Sequence, residues 1–245
     1  MANNILCVIP ARSGSSRVPE KNLAKIGGKT LVELAYETAV SSQIFNTIVV
    51  STDSERFACG LPWVRRPDHM SGESADIADA TSHALIECEI RYDLEYDYVV
   101  TLQPAIPIRT AKMIKRLLHR VIANRCGGGV TGIEVVPWLW SQSDGRAKNG
   151  WYPDSYPRSQ EFKGTNFWQE VNAVQISRRD SVIRGDRWGL PLAIELLPSY
   201  AALDIDEPAD LERAQLVYPH LIKALSLDKY CKGFVISSIN DSGLA

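Results

Sequence analysis

The chain has 245 residues, 45% of them hydrophobic, which suffices for one sizeable core with an elaboration and excludes both a disordered chain and a disulfide-stapled miniature. Lys and Arg number 27 against 29 Asp and Glu, a net charge of −2, so no bulk positive field gathers nucleic acid or an anionic membrane, and any anion must be held by a local cluster. The first apolar stretch, Ile5 to Ile9, is too short for a membrane span or signal-peptide core, and Cys7, Cys59, Cys88, Cys126 and Cys231 lack metal or redox spacing, so a cytoplasmic protein with reduced thiols is expected.

Ile5 to Ile9 ends at Pro10 and runs into a polar Gly/Ser loop, the pattern of a buried strand opening into a loop at a sheet edge. Thr30 is placed to cap a helix in which Leu31, Leu34, Ala35 and Thr38 recur at helical spacing. A β-branched strand follows at Thr47 to Val50, then a helix marked by Ile77, Ala80, Ala84 and Cys88, a strand at Tyr98 to Leu102, and a basic amphipathic helix after Thr110. Such alternation predicts an α/β fold with a mostly parallel sheet covered on both faces. Ligands of such sheets bind beyond the carboxyl ends of the strands, which points to the loops after Ile9, after Val50 (Ser51, Thr52, Asp53) and after Leu102 (Gln103 to Arg109).

The helical period is lost from Pro137 to Trp168, where Trp138, Trp140, Trp151 and Trp168 stand with Tyr152, Tyr156, Phe162 and Phe167. Aromatic density of this kind suggests a β-rich insertion over 137–171 whose apolar face meets a partner subunit; a long loop folded onto its own sheet is the alternative. Alternation resumes with Asn172 to Ile176, Leu192 to Leu196 and a final helix starting near Asp206, so 1–136 and 172–245 are read as the α/β domain.

Two motif matches fail on context. Gly127, Gly129 and Gly132 fit the dinucleotide pattern but run from a helix into a strand, the reverse of the order that works, and Gly28, Lys29, Thr30 lack the leading glycine of a P-loop. His69, His83, His119 and His220 have no metal-ligand spacing.

What remains is IPARSGSSRVPEKNL, Ile9 to Leu23, which sets Arg12, Arg17 and Lys21 beside Ser13, Gly14, Ser15 and Ser16 directly after the first strand. Glycine lets backbone N–H groups approach phosphate oxygens, the hydroxyls donate, and the cations neutralise a polyphosphate; a solvated basic loop is the competing reading. Near the other end, Asp204 and Asp206 of ALDIDE are two apart in an extended segment and so share a face, where they could hold a hard divalent cation, or Asp206 could simply cap the final helix. Together the two clusters supply what nucleotidyl transfer needs, cations for a leaving pyrophosphate and carboxylates for a metal.

IPARSGSSRVPEKNL resembles the N-terminal signature of the CMP-sialic acid synthetases (acylneuraminate cytidylyltransferases). Further blocks agree in order: VVSTDSE (Val49 to Glu55), RPDHM (Arg66 to Met70), LQPAIPIRT (Leu102 to Thr110), VNAVQI (Val171 to Ile176) and ALDIDEPADLE. The resemblance implies a Rossmann-like nucleotide-diphospho-sugar transferase fold with a small dimerisation insertion, and a homodimer. It implies a reaction joining the anomeric hydroxyl of a 2-keto sugar acid to the α-phosphate of CTP, with Mg²⁺ and release of pyrophosphate. Carried over residue by residue, Arg12, Ser13, Gly14, Ser15, Arg17, Lys21 and Asn22 would hold the nucleotide with help from Arg66. Gln103, Arg109, Arg158 and Asn172 would serve the sugar, Arg158 meeting its carboxylate from the partner subunit, and Asp204 and Asp206 would hold the metal. Arg12, Lys21, Asp204 and Asp206 would carry the catalysis.

Departures bear on the sugar. Ser16 and Arg17 stand where sialic acid enzymes usually carry lysine then glycine, a string closer to the Kdo and pseudaminic acid enzymes. Ala173 replaces the glycine and Ile176 the tyrosine of the family's N-G-A-I-Y strand, and Trp138, Leu139 and Trp140 occupy the place of a lysine expected after Pro137. A Kdo-type cytidylyltransferase is therefore the alternative, and a nucleotide-binding module without catalysis a more distant one.

Overall fold

The structure is a computed structural model and describes residues 3–15, 17–72, 75–135, 140–143, 146–149, 168–186, 188–227 and 232–238. Strand β1 (Ile5–Pro10) lies near the middle of the main sheet. Its side chains alternate, Ile5, Cys7 and Ile9 facing one apolar cluster and Leu6 and Val8 another, so a run apolar at every position becomes a strand buried on both faces.

A small ribbon, β2 (Lys25–Ile26) with β3 (Lys29–Thr30), leads into helix α1 (Leu31–Ser42). The expected Thr30 cap is a full capping box: Thr30 Oγ1 accepts from the Glu33 N–H at 3.1 Å and Glu33 Oε2 accepts from the Thr30 N–H at 2.7 Å. Strands β4 (Thr47–Thr52) and β5 (Trp63–Arg65) extend the sheet on one side of β1. Helix α2 (Ile77–Tyr92), capped by Asp76, carries the chain back to β6 (Tyr98–Thr101) on the other side. The order of strands therefore reverses at β1, the switch point at which open α/β sheets bind ligands.

Helix α3 (Ala111–Ala123), capped by Thr110, leads to β7 (Gly128–Glu134). The glycines here serve packing: a Cβ on Gly129 would meet Val121 at 2.6 Å and one on Gly132 would meet the Trp168 ring at 2.8 Å. The hairpin β8 (Trp140–Ser143) and β9 (Arg146–Asn149) forms its own two-stranded sheet. Strand β10 (Trp168–Arg178), short helix α4 (Arg179–Ile183), β11 (Leu192–Leu197), α5 (Pro208–Leu227) and β12 (Lys232–Ile236) complete the chain.

The eight strands run β12-β11-β7-β10-β6-β1-β4-β5. Pairings among β5, β4, β1 and β6 and between β7 and β11 are parallel, whereas β10 is antiparallel to both neighbours and β12 antiparallel to β11. Helices α1 and α3 cover one face, and α2 the other. The α/β, mostly parallel expectation holds.

Two expectations about the insertion change. Trp168 to Val171 pair with β7 inside the main sheet, so the insertion gives way to the sheet before Asn172. Trp168 packs edge-on against Phe234, ring centroids 6.1 Å apart, and is satisfied within the chain instead of joining an exposed patch. Trp138, Trp151, Tyr152, Tyr156, Arg158, Phe162 and Phe167 lie outside the described residues, as does Ser16 of the basic loop.

Candidate active site

The loop after β1 is tied down at both ends. The Ala11 N–H donates to the Ser51 carbonyl at 2.9 Å, and Asn22, nearly buried, donates from Nδ2 to the Arg12 carbonyl at 3.0 Å. Between them Asp53, at the end of β4, accepts the Ser13 backbone N–H at 2.7 Å and also the Ser13 hydroxyl. This clamp joins residues 40 apart in sequence and holds the loop in the shape that exposes Gly14. Burial works against the Asp53 carboxylate, but the two Ser13 bonds and the Arg66 charge outweigh it and keep its pKa below the usual carboxylate value.

Arg66 follows β5 and is only 4% exposed, its Nη2 donating to the Ser51 carbonyl at 2.9 Å. Burial, with the neighbouring Arg12 charge, lowers its pKa to about 10 against the pull of Asp53, so it stays cationic at neutral pH. Arg12 donates to the Gly72 carbonyl. These side chains line a cleft of about 220 Å³ together with Gly14, Ser15, Arg17 and Lys21 on one side and Gln103 to Ala105 on the other. The expected phosphate loop, Arg66 and Gln103 thus come to one place beyond the strand ends.

The carboxylate pair closes the cleft's rim. ALDIDE is irregular backbone in which Leu203 and Ile205 are buried while Asp204 and Asp206 turn outward, which puts both carboxyls on one side. Its position is set by the Ile205 N–H donating to the Ala105 carbonyl at 2.9 Å. Asp206 Oδ1 receives Arg17 Nη2 at 2.9 Å and Lys21 Nζ at 3.2 Å, so the two ends of the chain meet here. The carboxyl of Asp204 is pushed above its usual range by desolvation and by the adjacent Asp206 charge. Capping of α5 falls instead to Asp210, whose Oδ2 accepts the N–H groups of Asp206 and Glu207, so neither carboxyl of the pair is spent on the helix. Two outward carboxylates, with no third His, Cys, Asp or Glu grouped with them among the described residues, suit Mg²⁺, which takes one or two carboxylates and keeps its other positions for water and phosphate oxygens.

Two sugar-side expectations land elsewhere. Arg109 is 3% exposed and its guanidinium donates to the Gln103 and Ile106 carbonyls, so it braces the loop that carries Gln103 and does not line the cleft. Asn172 lies in β10 where register shifts between Val171 and Gln175, a bulge whose backbone is bound by the Thr131 hydroxyl; it is absent from the cleft lining. Asp53 was visible in the sequence only as a loop residue, since nothing local signals its partnership with Ser13.

With this geometry in hand, a family model described as cytidylyltransferase matches residues 6–126. The CMP-N,N'-diacetyllegionaminic acid synthase of Legionella pneumophila is 29% identical over 218 residues, 84% of this chain and 92% of that one. A 3-deoxy-manno-octulosonate cytidylyltransferase of Francisella tularensis is 36% identical over 146 residues, but that match spans only 54% of each chain. The solved structure of CMP:2-keto-3-deoxy-manno-octonic acid synthetase complexed with CTP has a TM-score of 0.64 at 20% identity, covering 89% of this chain and 99% of that one, a likeness of fold. Strand order, the cation-lined loop and the relatives that span the chain agree: the protein is similar over residues 6–126 to the cytidylyltransferases, and along most of its length to a sialic-acid-type CMP-sugar synthetase.

Proposed function

We propose that the protein activates a nonulosonic acid by transferring the cytidylyl group of CTP to its anomeric hydroxyl. The observation that carries the reading is the convergence of Arg12, Arg17, Lys21 and Arg66 on one cleft whose rim bears Asp204 and Asp206. The hydroxyl oxygen bonds to the α-phosphorus in line with the departing group, the α–β phosphoanhydride bond breaks, and pyrophosphate leaves with the electron pair. The hydroxyl proton passes to one of the two rim carboxylates. Arg12, Arg17 and Lys21 neutralise charge that grows on the pyrophosphate, Ser13, Gly14, Ser15 and Asn22 position the nucleotide, and Gln103 faces the sugar. Asp204 and Asp206 would hold Mg²⁺, which supplies charge neutralisation on the phosphate oxygens when bound.

A homodimer completes the site in this reading, with the partner subunit's Arg158 meeting the sugar carboxylate through its planar fork. Free thiols at Cys7, Cys59, Cys88 and Cys126 support a cytoplasmic setting, and no helix among the described residues is long and apolar enough to cross a membrane. Kdo is the second substrate reading, favoured by the Ser16–Arg17 pair and disfavoured by the half-length match to its enzyme.

Pyrophosphate release from CTP and Mg²⁺ across sialic, legionaminic, pseudaminic and Kdo acids tests the proposal. Strong release with one nonulosonic acid is expected; release with Kdo alone would select the second reading. Silence across the panel from a folded protein that still binds CTP would overturn the proposed reaction.

A further inference from the structure

Beside the nucleotide cleft lies a smaller recess of about 60 Å³ that shares Ile77 and Gln103 with it, so a ligand seated in the cleft can extend into it. Its floor is the seam between β6 and β10, where Thr101 faces Gln175 in register and Ser177 lies two residues further on. Its wall is the first part of α2, through Thr81, and its rim carries Asp76 and Asp186.

Three buried hydroxyls line the recess. Thr81, Thr101 and Ser177 are 5%, 4% and 7% exposed, and burying hydroxyls is costly unless they find partners. Thr81 Oγ1 donates to the Ile77 carbonyl at 2.8 Å, which commits its single proton, and its oxygen lies 3.4 Å from Thr101 Oγ1. Thr101 therefore keeps its own proton for Thr81 or for a guest. The Ser177 hydroxyl, on the strand beside them, also lines the recess. At the rim, Asp76 is fixed by the Ala78 N–H at 2.9 Å and Asp186 by the Gly189 N–H at 2.9 Å. Two fixed carboxylates repel an anion and accept from O–H or N–H donors.

We infer that this recess receives a neutral, hydrogen-bonding side group of the sugar acid, a hydroxyl or an acylamino N–H, and that Thr101, Gln175 and Ser177 determine which sugar acid reacts. The inference rests on the reaction proposed above and specifies its substrate: an acid whose carboxylate points away from this corner and whose arm beside Gln103 carries a donor. The volume admits a substituent of a few heavy atoms and not a second sugar ring.

Ser177→Ala and Thr101→Val remove one hydroxyl each with little change of shape. In the full-length protein, pyrophosphate release is measured with the sugar acid varied at fixed CTP and then the reverse. Each variant is expected to raise the KM of the preferred acid about five- to twentyfold, the effect of one lost hydrogen bond, while the CTP KM stays within about twofold. Preference for that acid over an analogue lacking the donor should shrink by a similar factor, and Thr101→Ser, which keeps the hydroxyl, should restore it. Melting curves that match the wild type establish folding; should Thr101→Val fail to fold, Ser177→Ala decides. An unchanged acid KM with unchanged preference overturns the inference while leaving the reaction standing. Absence of turnover by the wild type with every acid overturns the proposed reaction, and the inference with it.

Discussion

Replacing Asp53 with asparagine tests whether the loop is held in shape before a nucleotide arrives. The carboxylate accepts the Ser13 N–H at 2.7 Å and the Ser13 hydroxyl, and it offsets the Arg66 charge. Hydrogen bonds to a charged acceptor contribute about 1.5–3 kcal/mol each and neutral ones about 1 kcal/mol, so an amide that keeps the N–H bond and loses the charge should cost about 2 kcal/mol. For a chain of this size that lowers Tm by about 4–8 °C. If about half of the lost energy must be supplied again when CTP orders the loop, the CTP KM rises about fivefold. Asp53 has a depressed native pKa, so its contribution is fully present above the unfolded carboxyl value of about 3.9 and drains away as pH falls through the lower native one. The stability gap between wild type and Asp53→Asn should thus be constant from about pH 5 to 8 and close below about pH 4. Thermal melts and CTP kinetics across that range check both claims; a variant with wild-type Tm and wild-type CTP KM would refute the clamp.

Asp206→Asn should abolish Mg²⁺-dependent pyrophosphate release while moving ΔG by less than about 1 kcal/mol, because its pairs with Arg17 and Lys21 lie at the surface; activity retained in Mg²⁺ would remove the metal role. Arg158→Ala should raise the sugar-acid KM about tenfold or more with the CTP KM little changed, and equal rises in both would contradict its place at the carboxylate. Glu195→Gln, in a fully buried side chain that pairs Arg116 at 2.6 Å and Arg120 at 3.0 Å, should cost about 3–5 kcal/mol by leaving two cations uncompensated, read as a Tm about 10 °C lower with the CTP KM unaltered.

Features written in short stretches of sequence were legible in advance. The unbroken apolar run of β1, the Thr30 cap and the basic loop each carry their physics within a few residues, and the structure places them as the spacing predicts. The blocks resembling a known family added the grouping of Arg66, Gln103, Asp204 and Asp206 around that loop. Contacts made at a distance were not legible. The Ser13–Asp53 clamp, the bulge bound by Thr131 and the antiparallel pairing of β10 with β6 depend on partners 40 or more residues away. Arg109 was carried over to the sugar side from the resemblance, whereas its guanidinium is spent on neighbouring carbonyls. Trp168 misled in the opposite sense, since the partner it covers, Phe234, arrives only at the far end of the chain.

Strand β10, running against both of its neighbours, divides the sheet into a parallel block, β6-β1-β4-β5, and a block in which β7 and β11 are parallel and β12 is antiparallel. The block from β1 to β6 carries the cation loop, Asp53, Arg66 and Gln103, and the matched family region, 6–126, ends just beyond it. Across the divide, the other block delivers the aspartate pair from the turn after β11. On the reaction proposed above, the triphosphate is gripped on one side of the divide, and β10, through Gln175 and Ser177, meets the acceptor at the divide itself. On this account substitutions in β10 alter the choice of acceptor without loosening the hold on the nucleotide.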